Sequence, residues 1–302
     1  MEKTVLIIDD QREQAEGLWK LLSAALPHIT FEWYSEEQAI IDAIEHRFYT
    51  LAIVDLRMDK YNIDGLGIIR KIFEINPFAK VMVLSAFRDE YFGQLKDVFL
   101  SGKVVDFFEK EQFKTLAGKL QKSVQAYFDS LDRNPSEINN ALLQFYAEAK
   151  NEQDTYKKGE RFEHFISLLF QSFGYKEISK RVKDISQNEV DLIIRNETDD
   201  SFLNKFGKYI LVECKNKPDA GVSKNDLIVF DTKLENTNGL SELGIIATTG
   251  YIARTTYAEA LRNSGTRRKI LFMSNPEIEQ LIRANDKKEE FKRLIDSQVK
   301  DN

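Results

Sequence analysis

The sequence predicts an α/β protein of two domains, the first built on a doubly wound parallel sheet. Three observations lead there. Short apolar runs alternate with helical patterns from Thr4 to Phe108, a repeat of βα units. The chain's 302 residues exceed what one hydrophobic core usually organises. A second pattern, from Glu189 to Lys215, sets two β-branched runs either side of a polar loop and stands apart from the first alternation.

Thr4 to Ile8 is the first apolar strand, and Ile29 to Tyr34 the second. Leu51 to Val54, Lys80 to Leu84 and Val104 to Phe108 follow as the third, fourth and fifth. Between them, Gln14 to Ala25, Glu36 to Glu45 and Gly65 to Ile75 carry helical patterns. Doubly wound sheets bind ligands beyond the carboxyl ends of their strands. Asp9 and Asp10 stand after the first strand, Asp55 after the third, Ser85 after the fourth and Lys110 after the fifth. Clustered carboxylates repel one another, so such a site calls for a divalent cation. Lys110 can pair with a phosphoryl group or with the carboxylates themselves.

This set resembles the receiver domain of two-component response regulators, a flavodoxin-like (βα)5 fold, over residues 1 to 127. The resemblance implies that Asp55 accepts a phosphoryl group and that Asp9, Asp10 and Asp55 hold Mg²⁺ or Mn²⁺. It makes Ser85 the switch hydroxyl, Lys110 the partner lysine and Phe107 the switch aromatic, with Met58 three residues after the acceptor. On phosphorylation Ser85 swings to the phosphate and Phe107 turns inward. A sensor histidine kinase or phosphotransfer protein is the implied partner. Two features depart from the family. The loop Asp59 to Gly65 is long and lacks the common proline, and Glu111 replaces the usual proline after Lys110. Both changes bear on the partner-facing surface more than on the phosphorylation chemistry.

Phe113, Leu116, Leu120, Val124 and Phe128 lie at helical spacing and fit the last helix of the first domain. Asp132 to Pro135 breaks that helix, and Ser136 reads as the N-cap of another reaching about Ala147. Its stripe of Ile138, Leu142, Phe145 and Tyr146 fits either packing on its own domain or a contact in a homodimer. Residues 128–155 are read as a helical linker, with the polar stretch Gln153 to Lys158 as the final hinge, and 156–302 as the second domain.

That domain centres on Glu189-Val190-Asp191-Leu192-Ile193-Ile194-Arg195 and Tyr209-Ile210-Leu211-Val212-Glu213-Cys214-Lys215. Side chains alternate along a strand, so Glu213 and Lys215 share a face and Cys214 turns to the other. Asp191 on the neighbouring strand can bring a second carboxylate to the same place. Two carboxylates and an ammonium make a hard, oxygen-rich site for Mg²⁺ or Mn²⁺. Such an ion activates water and stabilises charge on a phosphodiester.

Asp191…Glu213-x-Lys215 resembles the motif of the PD-(D/E)xK nuclease superfamily. The helical pattern of Phe162, Phe165, Ile166, Leu169, Phe170 and Phe173, stopped by Gly174-Tyr175, is similar to the helix opening its Mrr-like restriction endonuclease branch. Gly244 to Gly250 reads as a buried strand, Ala253 to Asn263 as a helix and Lys269 to Met273 as a strand, in the order of that branch. The resemblance covers residues 155 to 275 and implies a restriction-endonuclease-like α/β fold on a mixed central sheet. It makes Asp191, Glu213, Lys215 and Glu163 the catalytic residues, with Glu163 helping Asp191 and Glu213 to hold the metal. DNA is the implied substrate.

Composition sets limits. No stretch is apolar and long enough to span a membrane, and Val5 to Ile8 is too short for a signal-peptide core, so the cytoplasm is expected. One cysteine excludes an internal disulfide framework. His28, His46 and His164 lack metal-ligand spacing, which argues against zinc. The net charge of −6 divides into −8 for residues 1–155 and +2 for 156–302, so the second half is the better nucleic-acid binder. Lys180-Arg181-Val182-Lys183, Lys217, Lys224, Arg254 and Arg267-Arg268-Lys269 read as loop residues able to track a phosphate backbone. Pro276 to Val299 reads as a charged helical tail with Ile278, Leu281, Ile282, Phe291 and Leu294 on its apolar face.

The expectation from the sequence is a phosphorylation-controlled, divalent-metal-dependent DNA endonuclease, serving in defence against foreign DNA. Cutting both strands of a duplex needs two active sites, which is the reason for considering a homodimer. The alternative is a catalytically silent DNA-binding or protein-interaction response regulator. RNA as substrate stays open.

Overall fold

Five short strands assemble the first sheet: β1 (Thr4–Ile8), β2 (Thr30–Tyr34), β3 (Leu51–Asp55), β4 (Lys80–Ser85) and β5 (Val104–Glu109). The computed structural model describes residues 3–47, 49–76, 78–86, 98, 100–134, 136–183, 189–262 and 268–300. The sheet is parallel throughout, in the order β2-β1-β3-β4-β5. Alternation along β1 sends Val5 and Ile7 into one core and Leu6 and Ile8 into another on the opposite face. The first core is covered by α1 (Arg12–Ala25) and α4 (Phe113–Arg133), the second by α2 (Glu37–His46) and α3 (Gly65–Ile75). A sheet covered on both faces buries its inner strands along their whole length, and every residue of β1 and β3 is buried, apolar except for Thr4 at one end and Asp55 at the other. Helix α4 runs to Arg133, because Phe128 and Leu131 extend the stripe of Leu120 and Val124 into the same core. Tyr127 ties it to the sheet by donating to Thr50 O at 2.8 Å.

The chain divides into two compact units, Met1–Ala141 and Leu142–Asn302. Helix α5 (Ser136–Asn151) is the segment by which it passes from one to the other, and α6 (Thr155–Gln171) follows. Ser136, expected as a cap, is the first helical residue, and its hydroxyl donates to Asn134 Oδ1. The apolar stripe of α5 is spent within the chain: Ile138, Leu142, Phe145 and Tyr146 are all buried. Phe145 and Tyr146 pack their rings on Phe165, and Tyr146 also meets Phe162. For Phe145 and Tyr146 this is packing within the second unit.

The second unit holds a mixed sheet in the order β12-β10-β8-β7-β6. Its strands are β6 (Ile178–Lys183), β7 (Glu189–Arg195), β8 (Tyr209–Lys215), β10 (Leu243–Thr248) and β12 (Lys269–Met273). Strands β6, β7 and β8 pair antiparallel, while β8, β10 and β12 are parallel. The basic run Lys180–Lys183, expected on a loop, lies on β6 at the sheet's edge. A helix unforeseen in the sequence, α7 (Lys224–Glu235), covers the sheet with Leu227, Phe230 and Leu234. Exposed Ile228 and Val229 blur its apolar stripe, but the capping box of Ser223 and Asp226 was there to be read. A small pair, β9 (Gly221–Val222) and β11 (Tyr251–Ile252), precedes α8 (Arg254–Arg262). Gly250 lets this pair close: a Cβ there would lie 2.1 Å from Ala220 O.

The expected C-terminal helix is two, α9 (Asn275–Arg283) and α10 (Lys287–Lys300). The chain extends at Ala284, so that Ile278, Leu281 and Ile282 on one side and Phe291 and Ile295 on the other all reach the interior. Phe291 meets Phe170 edge-on, which ties the tail to α6. No helix among the described residues is long and apolar enough to cross a membrane.

Candidate functional site

The first unit gathers its site at the carboxyl ends of β1, β3 and β5. Asp9, Asp10 and Asp55 are all buried, and each offers an oxygen within 4.8 Å of the others. Lys110 Nζ stands 2.7 Å from Asp55 Oδ2 and 3.1 Å from Asp9 Oδ2. The backbone N–H of Gln11 donates to Asp9 Oδ1 at 2.8 Å. Burial, then the charge of Asp9, pushes the Asp55 carboxyl up to about 6, against the pull of Lys110. Asp9 is raised too, mainly by burial. Burial by itself would lower the Lys110 ammonium, but Asp9 and Asp55 reverse this and it titrates above its ordinary value. Asp10 Oδ1 and Asp55 Oδ1 are buried with no hydrogen-bond partner among the described residues. Two orphaned carboxylate oxygens in a crowded acidic pocket suit a hard divalent cation. Ser85 is buried at the end of β4, and its carbonyl accepts from the Lys110 N–H at 2.8 Å. Phe107 is half-buried and packs on the α2–α3 core.

The long loop after Met58 spans the pocket's edge. Lys60 Nζ donates to Asp10 O at 3.1 Å, the Tyr61 hydroxyl to Ser35 O, and the Asn62 N–H to Glu37 Oε1 at 3.2 Å. Gly65 closes the loop against β3, where a Cβ would lie 2.0 Å from Asp55 O. Without divalent metal this pocket costs stability as pH rises. Unfolded Asp55 gives up its proton near 3.8 and folded Asp55 near 6, so the folded state binds more protons between those values. Its contribution is present below the lower value and lost through the upper, on the order of 3 kcal/mol. Denaturant titrations across this range should show stability falling in the parent protein. The fall should be flatter in Asp55→Asn, and flatter in the parent once Mg²⁺ is added.

In the second unit β7 and β8 bring three of the four expected residues together. Beyond the Leu192–Val212 pair the ladder opens, and Asp191 Oδ2 accepts the backbone N–H of Cys214 at 2.7 Å. Glu213 is buried; its Oε1 lies 2.8 Å from Lys215 Nζ, and its Oε2 lies 2.9 Å from Lys233 Nζ on α7. Burial, then the neighbouring Glu213 charge, raises the Asp191 carboxyl to about 7. Burial acts to lower the Lys215 ammonium, and Glu213 and Asp191 more than compensate. The Cys214 thiol titrates well above its usual value, chiefly through burial, so it is a protonated neighbour and not a nucleophile at neutral pH. Two mutually repelling carboxylates beside an ammonium are a donor set that fits Mg²⁺ or Mn²⁺.

Glu163 stands differently. Its carboxylate is held by Arg181, Nε to Oε2 at 2.9 Å, and Arg181 also donates to the Tyr156 hydroxyl at 3.0 Å. Among the described residues only Asp9, Asp10 and Asp55 bring three ligand atoms within 4.8 Å of one another, so Glu163, Asp191 and Glu213 do not form a comparable cage. A guanidinium fork already satisfies the buried Glu163 carboxylate. Arg181 itself has a positive φ of 50°, a conformation a β-strand residue adopts only when its surroundings enforce it. Arg181→Ala should lower stability by about 1–3 kcal/mol by leaving the Glu163 charge uncompensated. Adding Glu163→Gln should restore much of that in a denaturant titration. Lys233 was missed in the sequence because its helix was missed.

With this geometry in hand, family models account for both units. Residues 5–120 match the response regulator receiver domain, and residues 156–282 match a restriction endonuclease family of the Mrr type. The chain is therefore a fusion of a response-regulator receiver domain and an Mrr-type restriction-endonuclease domain. No curated protein matches it. Similar solved structures include a CheY-like receiver domain from Methanospirillum hungatei JF-1, at 16% identity and TM-score 0.35, covering 43% of this chain and 99% of that one. The response regulator DrrB of Thermotoga maritima shares 18% identity at TM-score 0.34, over 43% of this chain and 54% of its own. A receiver domain from Methylobacillus flagellatus shares 17% identity at TM-score 0.33, over 41% and 99%.

Proposed function

We propose that the chain is a phosphorylation-controlled, divalent-metal-dependent DNA endonuclease. The observation that carries this reading is the meeting of Asp191, Glu213 and Lys215 at the opening of the β7–β8 ladder, with Asp191 raised to about 7 by burial and then by the Glu213 charge. Asp191 and Glu213 would hold Mg²⁺ or Mn²⁺, which supplies activated water and charge stabilisation at a phosphodiester. Lys215, held at 2.8 Å by Glu213, presents an ammonium to the charge that develops on the phosphoryl oxygens. Glu163 can join the metal ligands once Arg181 lets go of it. Arg181 then has its guanidinium available for a backbone phosphate.

Control would come from the first domain, where Asp55 takes a phosphoryl group from a histidine kinase or phosphotransfer partner. Lys110 and a cation on Asp9, Asp10 and Asp55 would offset the incoming charge. Ser85 and Phe107 would report the change. A role against foreign DNA in the cytoplasm fits this reading. A second reading has its own support: Glu213 is paired with two ammonium groups and Glu163 with Arg181, an arrangement that a silent DNA-binding module would also have.

Supercoiled plasmid with Mg²⁺ or Mn²⁺, with and without beryllofluoride on the receiver, separates the two. Metal-dependent nicking or linearisation that changes with beryllofluoride supports the endonuclease. Salt-dependent binding without strand loss supports the silent module.

A further inference from the structure

Asn216 follows Lys215 directly and commits both its N–H donors and its carbonyl to three different elements. Its Nδ2 donates to Ala149 O at 2.8 Å and to Lys158 O at 2.7 Å, and its Oδ1 accepts from Thr249 Oγ1 at 2.8 Å. Ala149 lies in the last turn of α5, where helical carbonyls lack intrahelical partners. Lys158 lies near the start of α6, the helix that carries Glu163. Thr249 follows β10, and its N–H, with the Thr248 hydroxyl, grips Lys215 O at 3.2 and 2.9 Å. The peptide of Lys215 is thus fixed on one side by the β10 turn and on the other by two helix ends.

Helix α5 bears on the same place a second way. Its Tyr146 ring lies 4.9 Å from that of Phe165 and 6.3 Å from that of Phe162, the residues on either side of Glu163 and His164 in the turn of α6. The Tyr146 hydroxyl bonds to Asn275 at the start of α9. One helix therefore touches the element carrying Glu163 and, through Asn216, the strand end carrying Glu213 and Lys215. That helix is also the chain's passage out of the receiver unit.

We propose that Asn216 is a positioning residue that locks the Lys215 end of β8 to α5, so that the placing of α5 sets the stance of Lys215 and Glu213 against Asp191. Its catalytic consequence rests on the nuclease reading; the tie itself does not. A side-chain amide is needed, because the two carbonyls require donors and Thr249 requires an acceptor. Asn216→Asp keeps the shape and the Thr249 bond while setting an acceptor against both helix carbonyls.

The test is hydrogen exchange of the full chain for the parent, Asn216→Ala and Asn216→Asp, with plasmid cleavage run alongside. Amides of residues 213–217 should exchange about tenfold faster or more in both variants, as expected when buried hydrogen bonds that limit local opening are lost. Amides of β10 should keep their protection. Cleavage should show kcat lowered by a similar factor with KM nearly unchanged, because binding contacts remain while the lysine is misplaced. Beryllofluoride should alter exchange at 213–217 in the parent and not in Asn216→Ala. Unchanged exchange at 213–217 in the variants overturns the proposal, as does faster exchange spread evenly over the second unit, which marks a merely structural residue. An equal beryllofluoride response in parent and Asn216→Ala, or none at 213–217 in the parent, overturns the role of α5. If the parent does not cut DNA, the nuclease reading fails and the exchange result still judges the tie.

Discussion

Lys215→Ala should lower metal-dependent strand cleavage by about 10²–10³-fold, the usual cost of deleting one preorganised group that meets developing charge. The expectation follows from placement. Lys215 Nζ is held 2.8 Å from Glu213 and is three-quarters buried, so on the proposed reading it would meet a phosphodiester with little reorganisation. Lys215→Arg should rescue little, since a planar fork does not fill the place of a compact ammonium. Lys233→Ala is the informative comparison. Lys233 lies 2.9 Å from the other oxygen of Glu213 and also donates to Glu189 O at 2.7 Å, so its loss should weaken the support of Glu213 and reduce cleavage less. Plasmid cleavage under saturating Mg²⁺ or Mn²⁺ measures all three. Cleavage by Lys215→Ala within a few-fold of the parent would remove Lys215 from the chemistry, and a larger loss from Lys233→Ala would give the role to the α7 lysine.

The second large effect concerns Asp55. In Asp55→Ala, uptake of a phosphoryl group from a small-molecule donor should fall to background, because on the proposed reading Asp55 is the acceptor: its Oδ1 is buried with no hydrogen-bond partner among the described residues, and Lys110 stands 2.7 Å from its Oδ2. Lys110→Ala should allow slower uptake, since the attacking carboxylate remains while the charge that offsets the phosphoryl oxygens is gone. Any effect of beryllofluoride on DNA cleavage should vanish with Asp55. Radiolabel transfer and intact-mass measurement check the first expectation, and cleavage with and without beryllofluoride the second. Uptake that persists in Asp55→Ala would place the acceptor elsewhere.

The predicted elements were accurate where pattern and burial agree. Thr4–Ile8, Gly65–Ile75, Glu189–Arg195, Tyr209–Lys215 and Lys269–Met273 form as their residues suggest, because strand runs and helical stripes there face a core without interruption. Lys180–Lys183 reads as a loop in the sequence because its charges mask an edge strand that its ladder partner β7, not its composition, makes extended. Helix α7 was hidden for the reverse reason, since apolar Ile228 and Val229 face solvent and break the periodicity.

The sites divide the same way. By itself the sequence determined the residue types and their order: acidic residues and a lysine after consecutive strands of one sheet, and Asp191 ahead of Glu213-Cys214-Lys215 in the other. Strand ends and period-two alternation are local properties, so a single chain suffices to place such groups on a common edge or face. Tertiary structure decided which charges meet. It put Lys110 between Asp9 and Asp55, a second ammonium on Glu213 from α7, and Arg181 rather than the other carboxylates against Glu163. It also set Asn216 across the ends of two helices. These contacts join residues far apart in the chain, and their strength depends on burial and on angstrom-scale distances that no local pattern encodes.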